Sequence, residues 1–437
     1  MNRPNLRSPA NPLAPDPPAW LRDGAPHLWL PYTQMKTTPQ PLGVASSQGT
    51  RLTLADGREL VDGVASWWTA AHGYNHPHLQ AAIKAQLEAA PHVMLGGLVL
   101  EPTARLARRL AQLLPGDLDH VFFSDSGSVA VEVAMKMAMQ YWFNQGQKGR
   151  TKFISFRGGY HGDTLAAMSV CDPEEGMHAL FKGSIFEQLI TDLPTDAEKM
   201  AAFEAFVAAH AGETAAIITE PLVQGAAGMM FHDPDVLRRL RDMCDRHGLL
   251  LIFDEIFTGF GRTGSMFACE QADVTPDIVT LSKALTGGVL PLAATVARDL
   301  VFEAFWRDEP EAALMHGPTF MGNALACAAA NASLDLFERE DRLGQVEQIA
   351  AQLTEDLMPA RDVAGVRDVR VKGAIGVIEL ESLKDANWLK RRFVEEGVWI
   401  RPFGSIIYTT PALTIGKDDL SHITRSMVTI TREWATR

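Results

Sequence analysis

Short apolar runs and longer helix-favouring stretches alternate along this 437-residue chain. Runs of strand length stand at Lys152 to Phe156, Ala215 to Thr219, Leu249 to Phe253, Ile278 to Leu281 and Leu292 to Val296. Helical or Gly- and Pro-rich text separates them. Such runs, with little polar interruption, suit strands covered on both faces. From Val121 the text VFFSDSGSVAVEVAMKMAMQYW joins an apolar run, a glycine turn and a long helix-favouring stretch, which predicts strand, turn and helix. The alternation predicts an α/β fold with a mostly parallel central sheet and helices on both faces.

After about Asn323 the pattern changes to a long Ala-rich helix, a helix rich in Gln and Leu, and then VRVKGAIGVIEL with a later GVWIRPFG. A smaller α+β domain is expected over residues 323–437, with the large domain over 66–322. Residues 1–26 hold seven prolines among small and polar residues and read as an extended tail. The segment 27–65 is expected to pack with the small domain. No solenoid or propeller period is visible.

Composition narrows the function classes. With 46% apolar and 21% charged residues the chain buries a large core, which excludes disorder. Its 40 basic against 53 acidic residues leave a net charge of −13, which argues against nucleic acid as principal partner. Cys171, Cys244, Cys269 and Cys327 form no CxxC pair and read as reduced thiols. No apolar stretch reaches the roughly 20 residues of a membrane-spanning helix. A soluble, cytoplasmic protein is expected.

The most informative chemistry lies between Leu249 and Pro291. One strand ends in Asp254 and Glu255, and Lys283 follows the next strand in TLSKALTGG. Both positions fall at the carboxyl ends of predicted strands, the edge where open α/β sheets bind ligands. A lysine there can form an imine when its surroundings favour the neutral amine. A carboxylate such as Asp254 can keep the ring nitrogen of pyridoxal phosphate protonated, so that the ring draws electrons from the reacting carbon. The two residues read equally as an ordinary ion pair or as unrelated loop residues. A phosphate needs an anion site, and SDSGSVAVE offers Ser126 and Gly127 at a strand-to-helix turn. The plainer reading is a capping turn with Ser128 as N-cap. In RGGYHGDT, Tyr160 and Asp163 stand on a Gly-rich loop, where an aromatic ring can stack on a flat pyridine. His72, His76 and His78 are not expected to hold a metal, because Gly73 and Pro77 break helical pairing.

Four longer stretches add to these pieces: WLPYTQM at Trp29, VDGVASWWTAAHGYNHP at Val61, DSGSVAVEVAMKMAMQYW at Asp125 and MHGPTFMGNALACAAANASL at Met315. In this order, over nearly the whole chain from about His27, they resemble the class III, or omega, aminotransferases of the fold type I pyridoxal-phosphate enzymes. Within that family they resemble the branch that moves the amino group of S-adenosylmethionine to 8-amino-7-oxononanoate, giving 7,8-diaminononanoate in biotin biosynthesis. The resemblance implies that Lys283 carries the cofactor and shuttles the proton, and that Asp254 pairs with the ring nitrogen. It also implies that Ser126, Gly127 and Tyr160 contact the cofactor. Pro318 and Thr319 match positions that reach the phosphate of the neighbouring subunit's cofactor, so a homodimer with shared sites is expected.

The resemblance further implies a substrate site of Tyr32, Trp67, Trp68, Tyr160, Asp163, Lys283, Gly317, Arg401 and Tyr408. The tryptophans suit the apolar chain of the acceptor, and Arg401 suits its carboxylate. Tyr32, Tyr160 and Asp163 suit the sulfonium and adenine of the donor. Arg262 ranks below Arg401 as a carboxylate contact, and Glu220 reads as support behind the site. The nearest rival is an omega-aminotransferase using a diamine or β-alanine donor. A cofactor-binding regulator and an aminomutase or racemase on the same fold are more distant. Val289, Leu290 and Pro291 depart from the family's usual text close to Lys283.

Overall fold

The computed structural model describes residues 8–174, 179–181 and 183–437, so the first seven residues of the expected tail lie outside the described residues. The chain forms two compact units. The larger comprises Trp67–Ala71 and Pro77–Glu347, and the other comprises the chain up to Ser66, His72–His76 and Gln348–Arg437.

The larger unit is built on a seven-stranded sheet. Its strands are β1 (Leu118–Ser124), β2 (Lys152–Phe156), β3 (Leu189–Thr191), β4 (Thr214–Thr219), β5 (Leu250–Asp254), β6 (Ile278–Leu281) and β7 (Ala293–Arg298). Across the sheet they run β1-β7-β6-β5-β4-β2-β3. The run β6-β5-β4-β2-β3 is parallel, and β7 is antiparallel to both β1 and β6. The predicted mostly parallel sheet, with helices on both faces, is therefore present. β4, β5 and β6 are buried along their whole length, as their apolar runs require. The helix Gly127–Asn144 lays Val131, Ala134, Met135 and Ala138 into the core beside Ile218, Ile252 and Ile278.

The Ala-rich helix Ala324–Arg339 packs on the helices Pro77–Ala89 and Glu101–Leu113 of the same unit. Its alanines let the helix axes approach closely. A polar lock completes the contact: Arg109 donates to the Asn331 carbonyl at 2.7 Å, to Asp335 at 2.8 Å and to Glu338 at 2.7 Å. The division drawn from the sequence at 322/323 and the division by contacts at 347/348 differ by residues 323–347, which include this helix and the start of the next. Its packing partners lie more than 200 residues earlier in the chain, as the Arg109–Asn331 separation of 222 shows.

In the other unit, strands Val44–Gln48, Arg51–Leu54 and Glu59–Asp62 are antiparallel, and Val398–Trp399 adds in parallel to Glu59–Asp62. Val366–Lys372, Ile375–Leu380 and Ile406–Thr409 form an antiparallel sheet. The helices Ala386–Glu395 and Lys417–Ala435 pack on each other. There Arg392 donates to Glu395 and Glu396 of its own segment and to Glu433 of the last helix. All four cysteines are buried and free. No helix among the described residues is long and apolar enough to cross a membrane.

Arg109→Met should leave Asp335 without its main cation and cost about 3 kcal/mol, the low end for breaking a buried ion pair, because His78 and Arg105 remain beside Asp335. Urea denaturation followed by circular dichroism measures it, and an unchanged midpoint would refute the role given to the lock.

Candidate functional site

The site grows from the ends of two neighbouring strands. Parallel pairing sets Asp254 of β5 opposite Thr280 of β6, and Lys283 follows three residues later. Two residues 29 apart in sequence thereby reach the same sheet edge. Asp254 is 3% exposed and its carboxylate is held by three donors. His161 Nδ1 donates to Oδ2 at 2.7 Å, while Thr280 Oγ1 and the Ile256 amide donate to Oδ1 at 3.1 and 3.2 Å.

Lys283 is half-buried, and its amine lies 4.8 Å from the centre of the Trp68 ring and 6.0 Å from that of Phe257. Trp68 and Phe257 pack with centroids 4.3 Å apart. Desolvation lowers the Lys283 pKa below the ordinary lysine value, against the opposing charges of Asp254, Glu220 and Asp163. A lowered lysine spends more time as the neutral nucleophile. Burial alone would lower His161 too, but its bond to Asp254 and the charges of Asp254 and Glu220 outweigh that and raise it. Burial also raises Glu220 to about 7, although it accepts the amides of Gly225 and Tyr160 at 2.9 and 3.0 Å.

A second group forms where the helix Gly127–Asn144 begins. Ser126 is the N-cap and accepts from the Val129 amide at 3.4 Å. The capping alternative read from the sequence named Ser128, and this the structure corrects. Ser128 Oγ instead accepts the amide of Asp163 at 3.0 Å, because Gly162 passes so close that a β-carbon there would fall 2.1 Å from that oxygen. Tyr160 donates its hydroxyl to Asp163 at 2.8 Å. Gly127 lies against Ile256, whose Cδ1 would stand 3.0 Å from an added β-carbon. The residues present fit pyridoxal phosphate in the chemistry of their donor set: a desolvated amine, a carboxylate fixed by three donors, and the amino end of an 18-residue helix.

The tryptophan pair sits on unusual backbone. Ala65, Ser66, Trp67 and Trp68 have φ of 44°, 49°, 58° and 71°, a left-handed helical turn without glycine. Each residue in that conformation costs about 1–2 kcal/mol. Asp62, buried just before the turn, accepts the amides of Val64 and Ser66 at 2.9 Å each and the Tyr74 hydroxyl at 2.5 Å. Lys283 itself has φ of 46°. Trp67 is exposed.

The remaining expected residues are placed as follows. Within the unit that contains them, Arg401 and Tyr408 interact electrostatically: burial lowers the Arg401 pKa and Tyr408 opposes that shift. Tyr408 is buried in Ile406–Thr409, edge-on to Phe403 at 5.3 Å. Tyr32, of the same unit, is 52% exposed. Gly317, Pro318 and Thr319 belong to the larger unit, on a surface segment with Gly317 and Thr319 exposed. Arg262 is buried in the larger unit, and desolvation lowers it to about 10. Val289 packs against Leu79, Ala332 and Leu336, so that departure from the usual text serves packing. Leu290 offers its carbonyl to Thr286 Oγ1 at 2.6 Å.

Two side chains that the fold brings to Asp254 and Lys283 escape the sequence reading. His161 stands beside Tyr160 in RGGYHGDT, but only the fold brings it to Asp254. Phe257 is one more aromatic in an apolar loop. Glu255 has a structural part: it accepts from Thr258 Oγ1 at 2.5 Å and from the amides of Ala268 and Cys269 at 3.0 and 2.9 Å, closing the loop that carries Arg262.

Glu255 also generates a pH prediction. Burial raises its pKa from about 4.5 to about 7, despite these bonds. The native state therefore keeps a proton that the unfolded state releases, and stability falls as pH rises through that window, then levels off. The size is on the order of 3 kcal/mol. Denaturation from pH 4.5 to 8 should give a shallower fall for Glu255→Gln than for the parent chain, and an identical slope would refute it.

Comparison with known proteins follows the geometry. The class-III aminotransferase family model matches residues 32–431. The adenosylmethionine-8-amino-7-oxononanoate aminotransferase of Mycobacterium leprae is 46% identical, over 93% of this chain and 95% of its own. The crystal structure of the enzyme so named from Methanocaldococcus jannaschii superposes with a TM-score of 0.91 at 33% identity, covering 94% of this chain and 98% of its own. A PLP-bound amine transaminase from an uncultivated Pseudomonas species gives 0.86 at 33% identity, over 93% and 98%.

Proposed function

Because this chain belongs to the class-III aminotransferases, we propose that it transfers the amino group of S-adenosylmethionine to 8-amino-7-oxononanoate. The observation that carries the catalytic part is the desolvated Lys283 amine over Trp68, beside a carboxylate fixed by three donors. The donor and acceptor follow from relatives named adenosylmethionine-8-amino-7-oxononanoate aminotransferase at 43–46% identity. Those names favour this reading over a diamine or β-alanine donor.

Pyridoxal phosphate, when bound, withdraws electrons from the carbon that gains or loses the amine. Lys283 would hold it, Ser126 and Gly127 would receive its phosphate at the helix end, and Asp254 would face its ring nitrogen. The bond from His161 keeps the Asp254 carboxylate oriented toward that duty. With its amine free, Lys283 would accept the proton from the substrate's amine-bearing carbon on Nζ and hold it for return, and a lowered pKa suits a group that both takes and gives a proton. Tyr160, braced by Glu220 and Asp163, offers a ring for stacking. Trp67 and Trp68 would line the acceptor's apolar chain. Arg401, which Tyr408 influences electrostatically within its own unit, is the candidate cation for a carboxylate. Donor and acceptor would react in turn, in two half-reactions.

The enzyme works as a homodimer in this reading. Met94, Leu98, Val99, Met315 and Phe320 expose large apolar surfaces. His92 packs on Phe320 with centroids 4.8 Å apart, joining the two stretches that carry them. Exposed apolar area of this kind marks an interface. A second copy covering it brings Gly317, Pro318 and Thr319 to the neighbouring site. Four buried free thiols fit a reducing, cytoplasmic setting.

Adding S-adenosylmethionine alone to the holoenzyme should bleach the visible absorbance of the lysine-bound cofactor, and 8-amino-7-oxononanoate should then restore it with formation of 7,8-diaminononanoate by mass spectrometry. No bleaching at saturating donor would overturn the donor assignment. Arg401→Ala should raise the acceptor KM about 10- to 100-fold, the loss of a charge-assisted pair, with a smaller change in kcat. A KM unchanged for the acceptor would remove Arg401 from that role.

A further inference from the structure

One face of the helix Gly127–Asn144 carries a polar residue at every fourth position: Ser128, Glu132, Lys136, Gln140 and Asn144. Each fastens the backbone of a loop. Ser128 Oγ accepts the amide of Asp163 at 3.0 Å, and Glu132 Oε1 accepts that of Ala166 at 3.0 Å. Farther along, Lys136 donates to the Met315 carbonyl at 2.7 Å. Gln140 Nε2 reaches the carbonyls of Ala312 and Ala313 at 3.1 and 2.9 Å, and Asn144 Nδ2 reaches that of Ala312 at 3.1 Å. A four-residue step overshoots one helical turn by about 40°, so the stripe winds about 160° around the axis over its length. This is why its first two members serve one loop and its last three another.

The second loop runs on into Gly317, Pro318 and Thr319. It is tied down again at Gly322, whose carbonyl accepts Thr103 Oγ1 at 2.8 Å and whose φ of 62° and close approach to Thr103 leave no room for a side chain. Between these anchors the chain forms an exposed arch that includes Phe320. The stripe thus ties this arch to the same helix whose amino end, in the reading above, would meet this chain's own cofactor phosphate.

We infer that Lys136, Gln140 and Asn144 are positioning residues that set the arch Gly317–Thr319 for the neighbouring subunit's cofactor, so that this helix serves its own site from its amino end and its partner's site through the stripe. The inference rests on the shared-site dimer described above. Loss of Gln140 or Lys136 loosens the arch and weakens cofactor retention across the interface, not within the altered chain.

Heterodimers purified through a different tag on each chain test this. One chain carries Lys283→Ala, so the visible absorbance of lysine-bound cofactor reports the other chain's site alone. Gln140→Ala on the Lys283→Ala chain should speed cofactor release from the intact site roughly fivefold, the scale of a lost backbone hydrogen bond. The same substitution beside the intact lysine should leave release unchanged. Lys136→Met should act like Gln140→Ala, and Lys136→Arg, which keeps a donor for the Met315 carbonyl, should restore slow release. Asn144→Ala, losing one bond, gives a smaller effect in the same direction should Gln140→Ala fail to fold. Faster release confined to the altered chain, or equal on both sides, or absent, overturns the inference while the dimer reading stands. A protein that sediments as a monomer overturns both.

Discussion

Taking an amine out of water is the constraint around which the larger unit is arranged. Lys283 stands over the face of Trp68 and against Phe257, where few water dipoles can stabilise an ammonium, and its pKa drops in consequence. Carboxylates close by limit that drop, and their own burial must be compensated. Asp254 is compensated by three donors, one of them a histidine whose pKa that same carboxylate and Glu220 raise against the lowering effect of burial. Glu220 is only partly compensated, by two amides, and its pKa rises toward neutrality. The cluster is one coupled set in which no charge is cheap by itself.

Backbone strain is the second cost, and it falls where the aromatic wall is made. Four consecutive left-handed residues carry Trp67 and Trp68, and a fifth is Lys283. Strain of this kind persists only where surrounding bonds outweigh it. Asp62 supplies two amide bonds and the Tyr74 contact at the start of the turn, and the packing of Trp68 on Phe257 secures its end. Gly288 contributes at close range: an added β-carbon would fall 2.8 Å from the Ala70 amide, so the chain after Lys283 lies flush on the chain after Trp68.

How much of this was legible depended on whether a residue's role is local. Asp254 and Lys283 were readable because each follows an apolar run directly, and the carboxyl edge of a parallel sheet is a rule of topology. Ser126 with Gly127 was readable as a helix start, but the choice between Ser126 and Ser128 as cap was not. Both hydroxyls are suited to capping, and the arrival of Gly162 decided which one was already engaged. His161 was passed over for the same reason. Nothing within a few residues of it names Asp254, which lies 93 positions away.

Sequence by itself determined the element types, the strand ends that carry the chemistry and the membership in a family, because apolar periodicity, glycine turns and long shared motifs are properties of neighbouring residues. Tertiary structure decided the rest: which histidine meets which carboxylate, which unit the Ala-rich helix joins, how far the amine is desolvated, and that the tryptophans stand on a left-handed turn. Those quantities depend on atoms brought together across tens to hundreds of residues. Register between strands and the packing of helices set them, and neither is written in any single stretch of the chain.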